Sequence, residues 1–131
     1  MKTIFNFILI LSLLMVSGCE KEPGIGGNGI ITGKITTRKF NATFSTIIGT
    51  YPSADHYVYI VYGDNVGYDN RTKTDDNGEF KFQYLYPGKY RIYTYSKDSS
   101  GQVLSGIVSI NREVFLEKRR QSVTSDFTIY E

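Results

Sequence analysis

The chain has 131 residues, with 15 Lys and Arg against 13 Asp and Glu, a net charge of +2, one Cys and one His. That length suits a single domain, and a near-neutral charge argues against a nucleic-acid partner. A lone cysteine excludes an internal disulfide, so packing alone must hold the fold. One histidine, with no second histidine, is too little for a zinc site.

The chain begins with an export pattern. Lys2 supplies a positive n-region, and Ile4 to Val16 is a 13-residue apolar run. A bilayer-spanning helix needs about 20 such residues, so the run reads as a secretory h-region. It closes on Val16-Ser17-Gly18-Cys19. This tetrad resembles the lipobox of bacterial lipoproteins: an aliphatic residue three places before the cysteine, small residues between, and a sulfur that takes a diacylglyceryl group. Val16 stands where leucine is usual. The resemblance implies a lipoprotein signal peptide over residues 1–18, lipid on Cys19, and membrane attachment in the envelope of a Gram-negative bacterium, in its outer membrane or at its surface. The mature chain would then run from Cys19 to Glu131, 113 residues with a charge of +1.

Residues 20–29, "EKEPGIGGNG", hold four glycines and one proline. Together with Cys19 they read as a flexible tether, with a reach of roughly 17–19 Å, ahead of a domain over residues 30–131. From there the pattern is strand after strand. "GIITGKITT" alternates around Gly33; "HYVYIVY" places His56, Val58, Ile60 and Tyr62 on one face and Tyr57, Tyr59 and Val61 on the other. "RTKT" is a short strand. "EFKFQY" sends Phe80, Phe82 and Tyr84 inward, and "KYRIYTY" sets Tyr90, Ile92 and Thr94 against Arg91, Tyr93 and Tyr95. "VLSGIVSI" and "SDFTIY" complete the series, while "NREVFLEKRRQ" reads as a loop or one helical turn. Valine, isoleucine, tyrosine, phenylalanine and threonine suit a pleated, half-buried surface. About seven such strands predict an all-β protein, a Greek-key sandwich.

"TDDNGEF" at residues 74–80 and the Pro87-Gly88 pair punctuate these strands. Asp75-Asp76-Asn77-Gly78 suits a type I turn with Gly78 in the left-handed region, and Pro87-Gly88 suits a second tight turn. A calcium loop needs alternating acids and a glutamate well beyond the glycine; here the acids are consecutive and that glutamate is missing. Gly33, Ile35, Val58, Ile60, Thr74, Asp75, Gly78, Phe80, Phe82, Leu85, Pro87, Gly88 and Tyr90 follow one another as in carboxypeptidase regulatory-like domains, which the chain resembles. The resemblance is clear over Thr72–Tyr95 and weaker over Ile30 to about Ile110, and the segment "KFNATFSTIIGTYPSADH" is longer than that family carries. It implies a transthyretin-like (prealbumin-like) sandwich acting as an accessory module. The internal Lys–Asn cross-link of some related pilin sandwiches is not expected, because the strand bearing "KYRIYTYS" lacks the glutamate it needs.

A hydrolase needs a nucleophile, a base and an orienting group. His56 is the one histidine, and no phosphate loop or cofactor motif is present, so no catalytic, cofactor or metal residue is expected. The residues that suggest function are Tyr57, Tyr59, Arg91, Tyr93 and Tyr95, which fall opposite the expected core. Tyrosine and arginine favour binding surfaces. A flat aromatic patch edged by a cation would stack on a sugar ring or an extended peptide. Two functions fit: a lipid-anchored, non-catalytic module binding an envelope glycan or protein, or a structural component of a surface fibre or outer-membrane receptor assembly.

Overall fold

The computed structural model describes residues 1–4 and 21–131. Val16, Ser17, Gly18 and Cys19, with most of the apolar leader, lie outside the described residues. One strand organises half of the molecule: β1 (Ile25–Phe40), 16 residues long. Along one edge it pairs antiparallel with β5 (Glu79–Leu85) and then β2 (Ile47–Pro52). Along the other it pairs in parallel with β8 (Ser122–Thr124) and then β9 (Phe127–Tyr130). The break between β8 and β9 leaves the Lys34 amide without a ladder partner, and the Asp126 carboxylate accepts its hydrogen bond at 2.8 Å. The second sheet has the order β4-β3-β6-β7, from β3 (Tyr57–Tyr62), β4 (Asn70–Lys73), β6 (Gly88–Lys97) and β7 (Ile107–Leu116).

Alternation decides what lies between the sheets. Ile31, Ile35, Phe80, Phe82, Leu85, Phe127 and Ile129 from the first sheet meet Val58, Ile60, Tyr90, Ile92, Val114 and Leu116 from the second, all buried. Each such aliphatic or aromatic side chain contributes roughly 1.5–3 kcal/mol when removed from water. The connections β2–β3, β4–β5, β5–β6 and β7–β8 all cross between sheets, so the chain builds a β-sandwich of nine strands rather than two separate hairpin sheets.

The sequence expectations need four corrections. Tyr84 is not core: it is 64% exposed and adopts φ +59°. The β1–β5 register shifts between Gly29 and Ile31, so a bulge at Gln83–Tyr84 turns Tyr84 outward and lets Leu85 fill the inner position. Residues 111–116, expected as a loop, continue β7, because Val114 and Leu116 alternate into the core. β2 and β8 were not anticipated; their burial patterns are largely exposed, so neither carries a clear period of two.

The fourth correction concerns the tether. β1 begins at Ile25, five residues before the expected boundary at residue 30. The glycines there serve close packing, not flexibility: a Cβ on Gly27 would sit 2.3 Å from the Leu85 carbonyl oxygen. A buried tyrosine fastens the segment. Tyr90 Oη accepts the Gly24 N–H at 2.9 Å and donates to the Tyr86 carbonyl at 2.6 Å, while the Tyr86 N–H donates to the Gly24 carbonyl at 2.8 Å. Burial pushes the Tyr90 phenol above its ordinary pKa, so it stays neutral and able to donate. Tyr90→Phe should therefore orphan the Gly24 amide and the Tyr86 carbonyl and cost about 1–3 kcal/mol. Chemical denaturation checks the value, and hydrogen exchange at Gly24 should rise with it.

Candidate functional site

The outer face of the second sheet is built by register. β3 and β6 run antiparallel with Tyr59 opposite Tyr93 and Val61 opposite Arg91. β4 sets Lys73 opposite Tyr57 and Arg71 opposite Tyr59. With the even-numbered partners in the core, the odd ones share the outside. The β3–β6 ladder ends at Tyr59 and Tyr93, but two side chains continue the attachment. Thr94, buried on the core side, donates to the Tyr57 carbonyl at 2.8 Å. His56 Nε2 lies 3.1 Å from the Tyr95 carbonyl oxygen. Burial lowers the His56 pKa, partly opposed by that carbonyl, so the ring favours the neutral form that holds the two strands together. Tyr57 and Tyr95 are thereby positioned on a backbone fixed from both sides.

The four predicted tyrosines form one cluster. Tyr59 and Tyr93 stack at 5.0 Å with an interplanar angle of 11°. Tyr95 stands edge-on to Tyr59 at 5.7 Å and to Tyr93 at 5.8 Å, and Tyr57 is tilted beside Tyr59 at 6.2 Å. The rings do not make the flat platform expected from sequence. Side chains on a sheet stand roughly perpendicular to it, so rings stacked across neighbouring strands turn their faces to each other and their edges and hydroxyls outward. Burial raises the Tyr93 phenol pKa, with the neighbouring Tyr95 and Tyr59 adding to the effect, and the hydroxyl remains a donor at neutral pH.

Arg91 lies on the same side of β6 as Tyr93 and Tyr95, opposite buried Val61, and its Nε–H is buried with no hydrogen-bond acceptor among the described residues. Arg71 and Lys73 bring two further cations to the cluster. The Arg71 guanidinium carbon is 4.5 Å from the Tyr57 ring centroid and Lys73 Nζ is 4.8 Å from it. Lys73 also pairs with Asp55 at 3.0 Å. A fifth tyrosine, Tyr68, reaches in from the β3–β4 loop and meets Tyr59 edge-on at 5.0 Å. Asp69 fixes that loop by accepting the Tyr62 N–H at 2.7 Å and the Asn65 side-chain amide at 3.0 Å. Arg71 and Lys73 could be reached from sequence only by knowing which strand pairs with β3. Tyr68 carried no periodic signal at all.

The acidic stretch Asp75–Glu79 is a turn. One Asp75 carboxylate oxygen accepts the N–H groups of Asn77 and Glu79, both at 2.9 Å, and the Gly78 N–H bonds the Asp75 carbonyl at 3.0 Å. Among the described residues no group of three His, Cys, Asp or Glu side chains converges on a common point.

Fold and face together define an all-β module with an exposed aromatic surface on one sheet. No protein-family model and no curated protein matches the chain. Among solved structures it is similar to a candidate carbohydrate-binding protein from Pseudomonas aeruginosa, at 15% identity and a TM-score of 0.48, over 79% of this chain and 90% of that one. It is also similar to an (S)-allantoin synthase, at 10% identity and a TM-score of 0.41, over 76% of this chain and 41% of that one. Likenesses this distant say nothing of ligand or activity.

Proposed function

We propose that the protein is a lipid-anchored, non-catalytic binding module of the bacterial envelope, and that it takes a glycan on the face built from Tyr57, Tyr59, Tyr68, Tyr93 and Tyr95. The observation that carries this reading is the contiguity of five tyrosine rings on the outside of a sheet whose other face is the core. An exposed aromatic cluster is costly to leave in water, and such patches mark binding sites. Tyrosine joins apolar area to a polar tip at low entropic cost, which suits a ligand made of C–H faces and hydroxyls. The Thr74-to-Tyr90 pattern supports membership of the carboxypeptidase regulatory-like domains. His56 is engaged with a backbone carbonyl. A glycan array probed with the mature protein tests the reading; binding only to protein in an envelope extract, with no glycan retained, would overturn it.

Anchoring rests on the residues Val16-Ser17-Gly18-Cys19. Cells fed a clickable palmitate should label the protein, and Cys19→Ala should abolish the label and release the chain from the membrane fraction. Equal labelling of the variant would refute the anchor.

A second reading, a structural part of a fibre or receptor assembly, has one observation in its favour. β2 is an edge strand with Ile47, Ile48 and Tyr51 exposed, and open edges accept a further strand. Concentration-dependent self-association lost on Ile48→Lys would support it.

A further inference from the structure

Three of the five rings on the tyrosine face already have a negative surface occupied. An aromatic ring is negative over its face and positive at its edge. Tyr59 and Tyr93 turn faces toward each other, and Tyr57 lies under Arg71 and Lys73. The carboxylates nearest the face are Asp55, Asp69 and Glu113, and none of them is paired with Arg71. The Asp55 carboxylate is held by Lys73 at 3.0 Å. Glu113 stands across from Arg91 on β7. The ion pairs among the described residues, Lys73–Asp55 and Lys89–Asp64, leave Arg71 out. The Arg71 guanidinium is therefore already oriented by the Tyr57 ring, carries no carboxylate, and stands on the strand next to phenol donors.

We infer that the ligand of this face is an acidic glycan whose carboxylates, as in uronic acid units, meet the Arg71 guanidinium and the tyrosine hydroxyls while its sugar rings cover the exposed ring edges. A guanidinium fork matches a carboxylate with two parallel hydrogen bonds. β4, β3 and β6 lie about 5 Å apart in succession, so a saccharide crossing them meets the cation on β4 and the rings on β3 and β6 together. The inference rests on the reading of the tyrosine face as a glycan site.

Titration calorimetry with short oligogalacturonates and with the same oligomers fully methyl-esterified tests it, because esterification removes the charge and leaves the rings. The acid form should bind, and the ester should bind roughly ten-fold more weakly or worse. Arg71→Gln should weaken the acid form by a similar factor and leave the ester unaffected, with the thermal melt of the variant checking its fold. Should oligogalacturonate itself be the wrong backbone, alginate and hyaluronate fragments repeat the comparison against neutral glycans on an array. Equal binding of acid and ester, or retention of neutral glycans alone, would overturn the acidic class and leave the glycan reading standing. Retention of no glycan of any kind would overturn both. Loss of binding on changing Lys118, Arg119 and Arg120 to Gln, with Arg71→Gln silent, would place the anion contact elsewhere and refute the inference.

Discussion

Tyr93→Ala combined with Tyr95→Ala should leave the sandwich folded and weaken glycan binding by at least about ten-fold, and by about a hundred-fold if both rings act as anchors. Each truncation at the centre of a binding surface removes on the order of 1–2 kcal/mol, which is a factor of roughly 5–30. The stability cost is smaller. Neither ring enters the core, and Tyr93 loses chiefly its stack on Tyr59 at 5.0 Å, about 0.5–1.5 kcal/mol for an aromatic pair. A melt of the double variant within a few degrees of the parent, beside a weakened titration, is the expected pair of results. Outright unfolding would show that the tyrosines hold the sheet together. A folded variant that binds as well as the parent would move the site off this face.

Gly78→Val should be the most destabilising substitution in the Asp75–Glu79 turn, costing roughly 2–5 kcal/mol. Two effects add. Gly78 has φ +77°, where a β-branched residue is strained. A Cβ there would also lie 2.5 Å from the Ile35 carbonyl oxygen and 3.0 Å from the Ser53 nitrogen. Those atoms cannot step aside cheaply, because the Ser53 N–H bonds the Ile35 carbonyl at 2.9 Å and the Ile35 N–H bonds the Gly78 carbonyl at 2.8 Å. The substitution wedges apart the junction of β1, β2 and β5. Against a total stability on the order of 5–15 kcal/mol, a fall in melting temperature of roughly 10 °C or more is expected. Calcium should leave the parent melt unchanged, since the Asp75 oxygen is already filled by two amides. A calcium-dependent rise of several degrees would contradict the turn.

Strands that bury one face declare themselves. Phe80 and Phe82, like Tyr90 and Ile92, repeat at a period of two and all are buried. The same alternation identified Tyr57, Tyr59, Tyr93 and Tyr95 as outward residues before any pairing was known. It failed wherever a residue served the backbone rather than the core. The bulge at Tyr84 shifts the phase by one. The glycines after Pro23 look like a flexible linker in composition, yet they are small because two backbones meet there. Arg71, Lys73 and Tyr68 join the cluster through strand order and a loop held by Asp69, and neither can be read along a single segment.

The clamp of Tyr90 on Gly24 has a geometric consequence. If Cys19 carries the lipid, only residues 20–22 separate it from Pro23, a span of at most about 14 Å even when fully extended. The chain enters beside the Pro87-Gly88 corner, where Gly24 is bound to Tyr86 and Tyr90, so that corner would be the part of the domain nearest the anchor. β6 rises from it, and Tyr95, seven residues beyond Gly88, stands about 23 Å along the strand at its usual rise. The leash is shorter than the post it holds. Tyr93 and Tyr95 would then stand well clear of the anchoring point, farther from it than the leash is long.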